Sequence, residues 1–210
     1  LIRDLEVTKQ LWAFLLDKFD GFKEFISTKD AENFKHVTAS TGAYGYKVLC
    51  TALGIEERYS DEESEESYQG GHVEIPLKES VVGNILYLDF ASLYPMLYVH
   101  GNLFSPNCKC CKEIDKWHGG LLQINGYYCA KIQGSIEKLI KNFYLKRKEY
   151  KKNKDSREFA LKIFLNTLYG ISAKPSFTQL YYKHTASDCT ALARQCLKYA
   201  SEELTRNGFI

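Results

Sequence analysis

The sequence predicts an α/β fold, β-strands with helices packed on them plus an antiparallel two-helix hairpin, on three observations. A short apolar and aromatic run, Ile85 to Leu88, reads as a buried strand and stops at a lone carboxylate, Asp89. Two stretches of helical spacing, Ser135 to Lys154 and Arg157 to Gly170, follow each other across a turn at Asn153 to Ser156. A third long helical stretch runs from Ala186 to Asn207.

Bulk composition sets wide bounds. The 210 residues are 45% hydrophobic and 14% aromatic, which suits a packed fold and excludes a disordered chain. A net charge of +2 does not by itself announce a nucleic-acid binder, so the local charge pattern has to carry that question. Seven cysteines, no visible signal peptide and no transmembrane run fit an intracellular setting, cytoplasm or nucleoid or nucleus, with no membrane partner. The chain opens on Leu1 and ends on Gly208-Phe209-Ile210, which reads as the start of a strand; the expectation is a piece of something longer.

Taken in order, residues 1–67 read as a mostly helical segment. Leu5, Leu11, Trp12, Leu15, Leu16 and Phe19 recur near helical spacing, and Ser40-Thr41-Gly42 precedes a second helix from Ala43 to Leu53 that breaks at Gly54. The acidic run Asp61 to Ser67 reads as a solvated loop and the best internal boundary. Residues 68–134 hold Tyr68-Gln69-Gly70-Gly71, where paired glycines permit a tight turn and the close approach of another chain. The same segment holds the strand, Asp89, a short helix over Met96 to Val99, and a Cys-rich insert. In that insert Cys108 and Cys111 have the spacing that chelates one tetrahedral Zn²⁺, with His118 or Cys129 to complete the set; buried free thiols are the alternative. Residues 135–170 form the hairpin. Residues 171–210 begin with a loop or strand over Ala173 to Tyr182 and continue into the long helix.

The chemistry sits at the strand end and on the hairpin. A carboxylate on a rigid strand end can hold a hard divalent cation, although a turn or helix-cap residue would look the same. Ser135 to Lys154 is strongly basic, and Arg147 and Lys151, four apart, share a face that could grip one polyphosphate. Lys162, Asn166 and Tyr169 recur at i, i+4 and i+7, a stripe suited to phosphate contact at one end and base stacking at the other; a stripe facing solvent is the alternative. There is no Gly-rich phosphate loop of the kinase or P-loop kind.

Two motifs carry a resemblance. Asp89-Phe90-x-Ser92-Leu93-Tyr94-Pro95 resembles motif A of the family B (alpha-like) DNA polymerases, and Lys162-x3-Asn166-Thr167-x-Tyr169-Gly170 resembles their motif B, with Thr167 for the commoner Ser. Tyr68-x-Gly70-Gly71 resembles the family's Tyr-x-Gly-Gly element. The Ser40-Thr41-Gly42 turn, the Ala186 to Arg194 helix with Thr190 and Arg194, and Asp4-x3-Thr8-x2-Leu11 resemble further family segments, the last of them beside the proofreading exonuclease. The short spacing between the two motifs leaves no room for the insert of the protein-primed branch.

The resemblance implies an exonuclease-proximal edge and linker over 1–67, a partial polymerase palm over 68–134, fingers over 135–170 and a return to the palm over 171–210. It implies a DNA-directed DNA polymerase, a nucleotidyltransferase that adds deoxynucleotides to a primer 3′ end in DNA replication or repair. Asp89 and the Phe90 carbonyl would bind Mg²⁺ in a two-metal site. Ser92, Leu93, Tyr94, Arg147, Lys151, Lys162 and Asn166 would bind the dNTP, with Tyr94 excluding a 2′-hydroxyl. Tyr68, Gly70, Gly71, Tyr169 and Gly170 would contact primer–template DNA. Motif C, which carries the second metal-binding carboxylate, and the thumb do not occur in this sequence. The expected partners are therefore DNA, dNTP and the remainder of the polymerase, and the chain by itself is expected to be inactive. A non-catalytic, polymerase-derived module that binds DNA or a partner is the rival expectation.

Overall fold

The computed structural model describes residues 6, 9–10, 41–62, 69–73, 83–104 and 133–209. Five helices are defined among them: α1 (Thr41–Leu53), α2 (Leu93–Gly101), α3 (Ser135–Lys152), α4 (Arg157–Ala173) and α5 (Thr185–Arg206). Helix α4 is the centre and touches the other four. Its sequence explains why. Ala160, Leu161, Phe164, Leu165, Leu168 and Ile171 are buried along most of its girth, which leaves one polar stripe at Lys162, Asn166 and Gly170. Against it pack Tyr46 and Leu49 of α1, Tyr98 of α2, Ile140 and Phe143 of α3, and Leu192 and Ala193 of α5, all in one continuous core. Gly45 lets α1 close on α4, since a Cβ there would lie 2.9 Å from Thr167 Oγ1 and 3.0 Å from Ile171 Cδ1.

Helices α3 and α4 form an antiparallel hairpin, as expected. Phe143 meets Phe164 edge-on at 4.7 Å, Arg147 meets Glu158, and Arg157 lies over the Tyr150 ring at 4.3 Å, so partners converge toward the turn. Helix α3 ends where Lys154 takes the left-handed conformation (φ 54°). The Asp155 N–H then bonds the Tyr150 carbonyl at 2.9 Å and the Lys154 N–H bonds that of Lys151 at 3.3 Å, a Schellman closure. Asp155 restarts the chain by accepting the Arg157 N–H at 2.9 Å. Replacing Phe164 with Ala should destabilise the chain by about 3–5 kcal/mol. The midpoint of a urea titration checks this; an unchanged midpoint would mean the two aromatic rings do not hold the hairpin.

The described residues correct the α/β expectation: they hold helices and turns and no strand. Residues 84–90 take no regular secondary structure and pair with no other described segment, and Ile85, Leu86, Tyr87 and Leu88 are 74, 65, 85 and 60% exposed rather than buried. An apolar run fixes a strand only when a neighbour takes up its N–H and C=O groups, and no described segment ladders with this one. Residues 174–184 are loop and turns, and Gly208 lies in a turn rather than a strand. Of the amphipathic helix expected over Leu1 to Phe25, Glu6, Lys9 and Gln10 are described and helical; the rest of that stretch to Phe25, with Asp4 and Thr8, and residues 63–67 of the acidic run lie outside the described residues.

The ends of the Cys-rich insert are tied together. The Gly134 N–H donates to Asn102 Oδ1 at 2.9 Å and the Phe104 N–H donates to Glu137 Oε1 at 2.7 Å. Glu137 is fully buried, and burial raises its carboxyl above the usual range.

Candidate functional site

The loop before α2 builds one wall of an open cleft of about 740 Å³. Ser92 sits in the left-handed region at φ 58°, ψ 51°, unusual for a residue with a side chain, and starts α2 without capping it through its hydroxyl. Pro95 stands in the first turn, where its missing N–H costs nothing. This geometry lays Asp89, Phe90, Ser92, Leu93 and Tyr94 along the cleft.

The facing wall is the hairpin. Tyr144, Arg147, Lys148 and Lys151 come from α3, and Lys162, Asn166 and Tyr169 from α4. Four cations and one carboxylate thus line a single cleft. Asp89, Lys151 and Lys162 line the cleft, and none of them forms an ion pair with another described residue. The Tyr94 and Tyr169 rings meet at 5.3 Å with a 51° tilt at the cleft floor. Burial raises the Tyr94 hydroxyl above its ordinary value, and the nearby Cys189 and Tyr169 add to the effect, so the phenol stays neutral. Cys189, buried beneath, is pushed up to about 12 by desolvation, which keeps it a thiol.

The glycine pair is fastened beside this floor. Arg194 Nη1 donates to the carbonyls of Gln69 and Gly70 at 2.7 and 2.6 Å, and the Thr190 hydroxyl shares its proton between the Ser187 carbonyl at 2.8 Å and the Gln69 carbonyl at 3.2 Å. Gly71 then lies under Tyr94, where a Cβ would come within 3.3 Å of the hydroxyl. On the far side of residues 88–90 a second, apolar groove is lined by Leu93, Leu197, Ala200 and Leu204, and Asp89 stands between the two.

The sequence-derived candidates Asp89, Phe90, Ser92, Leu93, Tyr94, Arg147, Lys151, Lys162, Asn166 and Tyr169 therefore meet in one place. Gly170 is exposed beside the cleft but is not part of its lining; Gly71 reaches it through Tyr94, and Gly70 is held by Arg194 outside the lining. Tyr68, Cys108, Cys111, His118 and Cys129 lie outside the described residues. Tyr144 and Lys148 belong to the cleft and were not singled out as site residues, although 144, 147, 148 and 151 fall at i, i+3, i+4 and i+7. Thr167 faces α1 and bonds the Phe164 carbonyl at 2.7 Å, so its exchange for Ser leaves the cleft untouched. Among the described residues no three metal-ligating side chains cluster, and none of the helices is long and apolar enough to cross a membrane.

The sequence pattern of DNA polymerase family B matches residues 14–209. DNA polymerase 1 of Pyrococcus abyssi is 32% identical over 169 residues, covering 73% of this chain and 21% of its own length. The DNA polymerase of Desulfurococcus sp. (strain Tok) is 31% identical over 154 residues, 66% of this chain and 19% of its own. That of Fowlpox virus (strain NVSL) is 27% identical over 172 residues. The solved structure of the family B DNA polymerase from the hyperthermophilic archaeon Pyrobaculum calidifontis shares the fold over 81% of this chain and 24% of its own, with a TM-score of 0.58 at 24% identity. The chain spans about a fifth of the length of the curated relatives it matches.

Proposed function

The chain belongs to the family B DNA polymerases, and we propose that its cleft receives the incoming deoxynucleoside triphosphate during template-directed extension of a primer, as part of a longer polymerase. One observation carries the reading: four cations from two helices and one carboxylate from a facing loop converge on a single cleft floored by tyrosines. On this reading the stretch around Asp89 is palm, the α3–α4 hairpin is fingers, and α5 returns to the palm.

Arg147, Lys148, Lys151 and Lys162 neutralise the phosphate oxygens, an electrostatic role strengthened by the low-dielectric wall behind them. Tyr94 packs under the sugar and leaves no room for a 2′-hydroxyl. Asn166 and Tyr169 border the nascent base pair, and Gly70 and Gly71 lie along the template strand.

The donor set fits Mg²⁺ in the manner that ion favours, one carboxylate with substrate phosphates rather than an all-protein cage. Asp89 and the Phe90 carbonyl would hold it. When bound it supplies charge neutralisation at the reacting phosphate and a more acidic 3′-hydroxyl.

Primer extension by the full-length polymerase tests the reading, with Tyr94→Ala as the specific variant. Ribonucleotide incorporation relative to deoxyribonucleotide should rise at least about tenfold, the scale on which a filled pocket rejects one added group. An unchanged ratio would put the sugar gate at another residue; no templated incorporation by the parent enzyme would remove the reading itself.

A further inference from the structure

Arg147 is the cleft cation that the fold itself holds in place. Its Nε donates to Glu158 Oε1 at 2.8 Å and its Nη1 donates to Ser92 Oγ at 2.8 Å. Arg147 and Glu158 are 18 and 23% exposed, so water screens this pair less than it would a surface pair. Glu158 belongs to the first turn of α4, where the helix N-terminus favours a carboxylate. It stands four residues before Lys162, a spacing that favours an ion pair along the helix. The carboxylate nevertheless reaches across the hairpin to Arg147, and Lys162 remains without an ion-pair partner among the described residues.

Resting on the triphosphate reading, we propose that Glu158 is a positioning residue for Arg147. It takes the Nε edge of the guanidinium and points the Nη end into the cleft before any ligand arrives. Two of the five guanidinium donors are then engaged, and the Nη end keeps donors for an anion. Ser92 Oγ is neutral and holds one of those donors; a phosphate oxygen is the stronger acceptor and displaces it, while the Glu158 bond persists. A long, flexible side chain is thereby ordered in advance, and the ligand does not bear that entropy. The same bonds join the hairpin to the left-handed Ser92 turn, so both walls of the cleft share one contact.

The test is steady-state incorporation of dNTP by the full-length polymerase carrying Glu158→Ala, Glu158→Gln, Arg147→Ala and the Glu158→Ala/Arg147→Ala double change. Glu158→Ala should raise the dNTP KM about tenfold, the worth of one charge-assisted hydrogen bond, with kcat changed far less. Glu158→Gln, whose amide oxygen still accepts from Nε, should restore most of the loss. The double variant should be no worse than Arg147→Ala, because Glu158 acts through that side chain. An unchanged KM in Glu158→Ala, or a double variant whose defect is the product of the two single defects, would overturn the proposal. Should the melting curve show that Glu158→Ala does not fold, Glu158→Asp takes its place. Its carboxylate falls one methylene short of Nε and should raise KM in the same direction; no change there also overturns the proposal. If Arg147→Ala leaves KM alone, the triphosphate reading itself fails; if Arg147→Ala raises it and Glu158→Ala does not, the positioning role alone is lost.

Discussion

Replacing Asp89 with Ala should lower primer extension by the full-length polymerase by on the order of a thousandfold or more while leaving its melting temperature unchanged. The two halves of this expectation come from the same feature. Asp89 is exposed and, among the described residues, its segment pairs with no other and its carboxylate forms no ion pair, so none of the described packing depends on it. It is also the carboxylate that lines a cleft otherwise edged by four cations, so its charge has a use only toward something that enters. Asp89→Asn keeps the shape and removes the charge, and it should fail as badly. Single-turnover incorporation from a primed template measures the loss, and substantial extension by either variant would mean that another residue holds the metal.

Lys162→Ala should weaken dNTP binding by about a hundredfold, the scale of hydrogen bonds to a charged group. Lys162 projects from the polar stripe of α4, whose opposite face fills the core with Phe164, Leu165 and Leu168. Its stem is exposed and it has no ion-pair partner among the described residues, so its loss opens no cavity and strands no buried charge. The defect should lie in KM, and the parent enzyme's affinity should fall with rising salt more steeply than the variant's, since one phosphate contact is missing. Equal KM in parent and variant would show that the stripe faces solvent without a phosphate partner.

How much of this was legible in the sequence follows from which interactions are local. The hairpin was legible because a basic stretch, a turn and a second amphipathic stretch are all short-range features. Its ends were less so. Lys154 takes a left-handed cap position usually held by Gly, so α3 stops at Lys152, and α4 runs through Gly170 to Ala173 because packing outweighs one glycine's cost. The Lys162–Asn166–Tyr169 stripe was legible from spacing alone. Tyr144 and Lys148 carried the same kind of signal and were hidden by the many lysines around them. Glu158 was not legible: an acid in a first turn has a sufficient local explanation, and its reach to Arg147 exists only once the hairpin closes. The strand at Ile85 to Leu88 was misjudged for the converse reason. Its pattern is local, but a strand is a relation between two segments, and the described residues supply only one.

The central claim is that Arg147, Lys151 and Lys162 surround the triphosphate while Asp89 faces its reacting phosphate. A structure of the full-length polymerase with primed template and a non-hydrolysable dNTP tests it most directly. The account predicts phosphate oxygens within hydrogen-bonding distance of Arg147 Nη1 or Nη2 and of Lys162 Nζ, the Ser92 hydroxyl released from Arg147, and the sugar stacked on Tyr94. A nucleotide seated in the apolar groove beside Leu197 and Leu204, with Arg147 still bonded to Ser92, would contradict it.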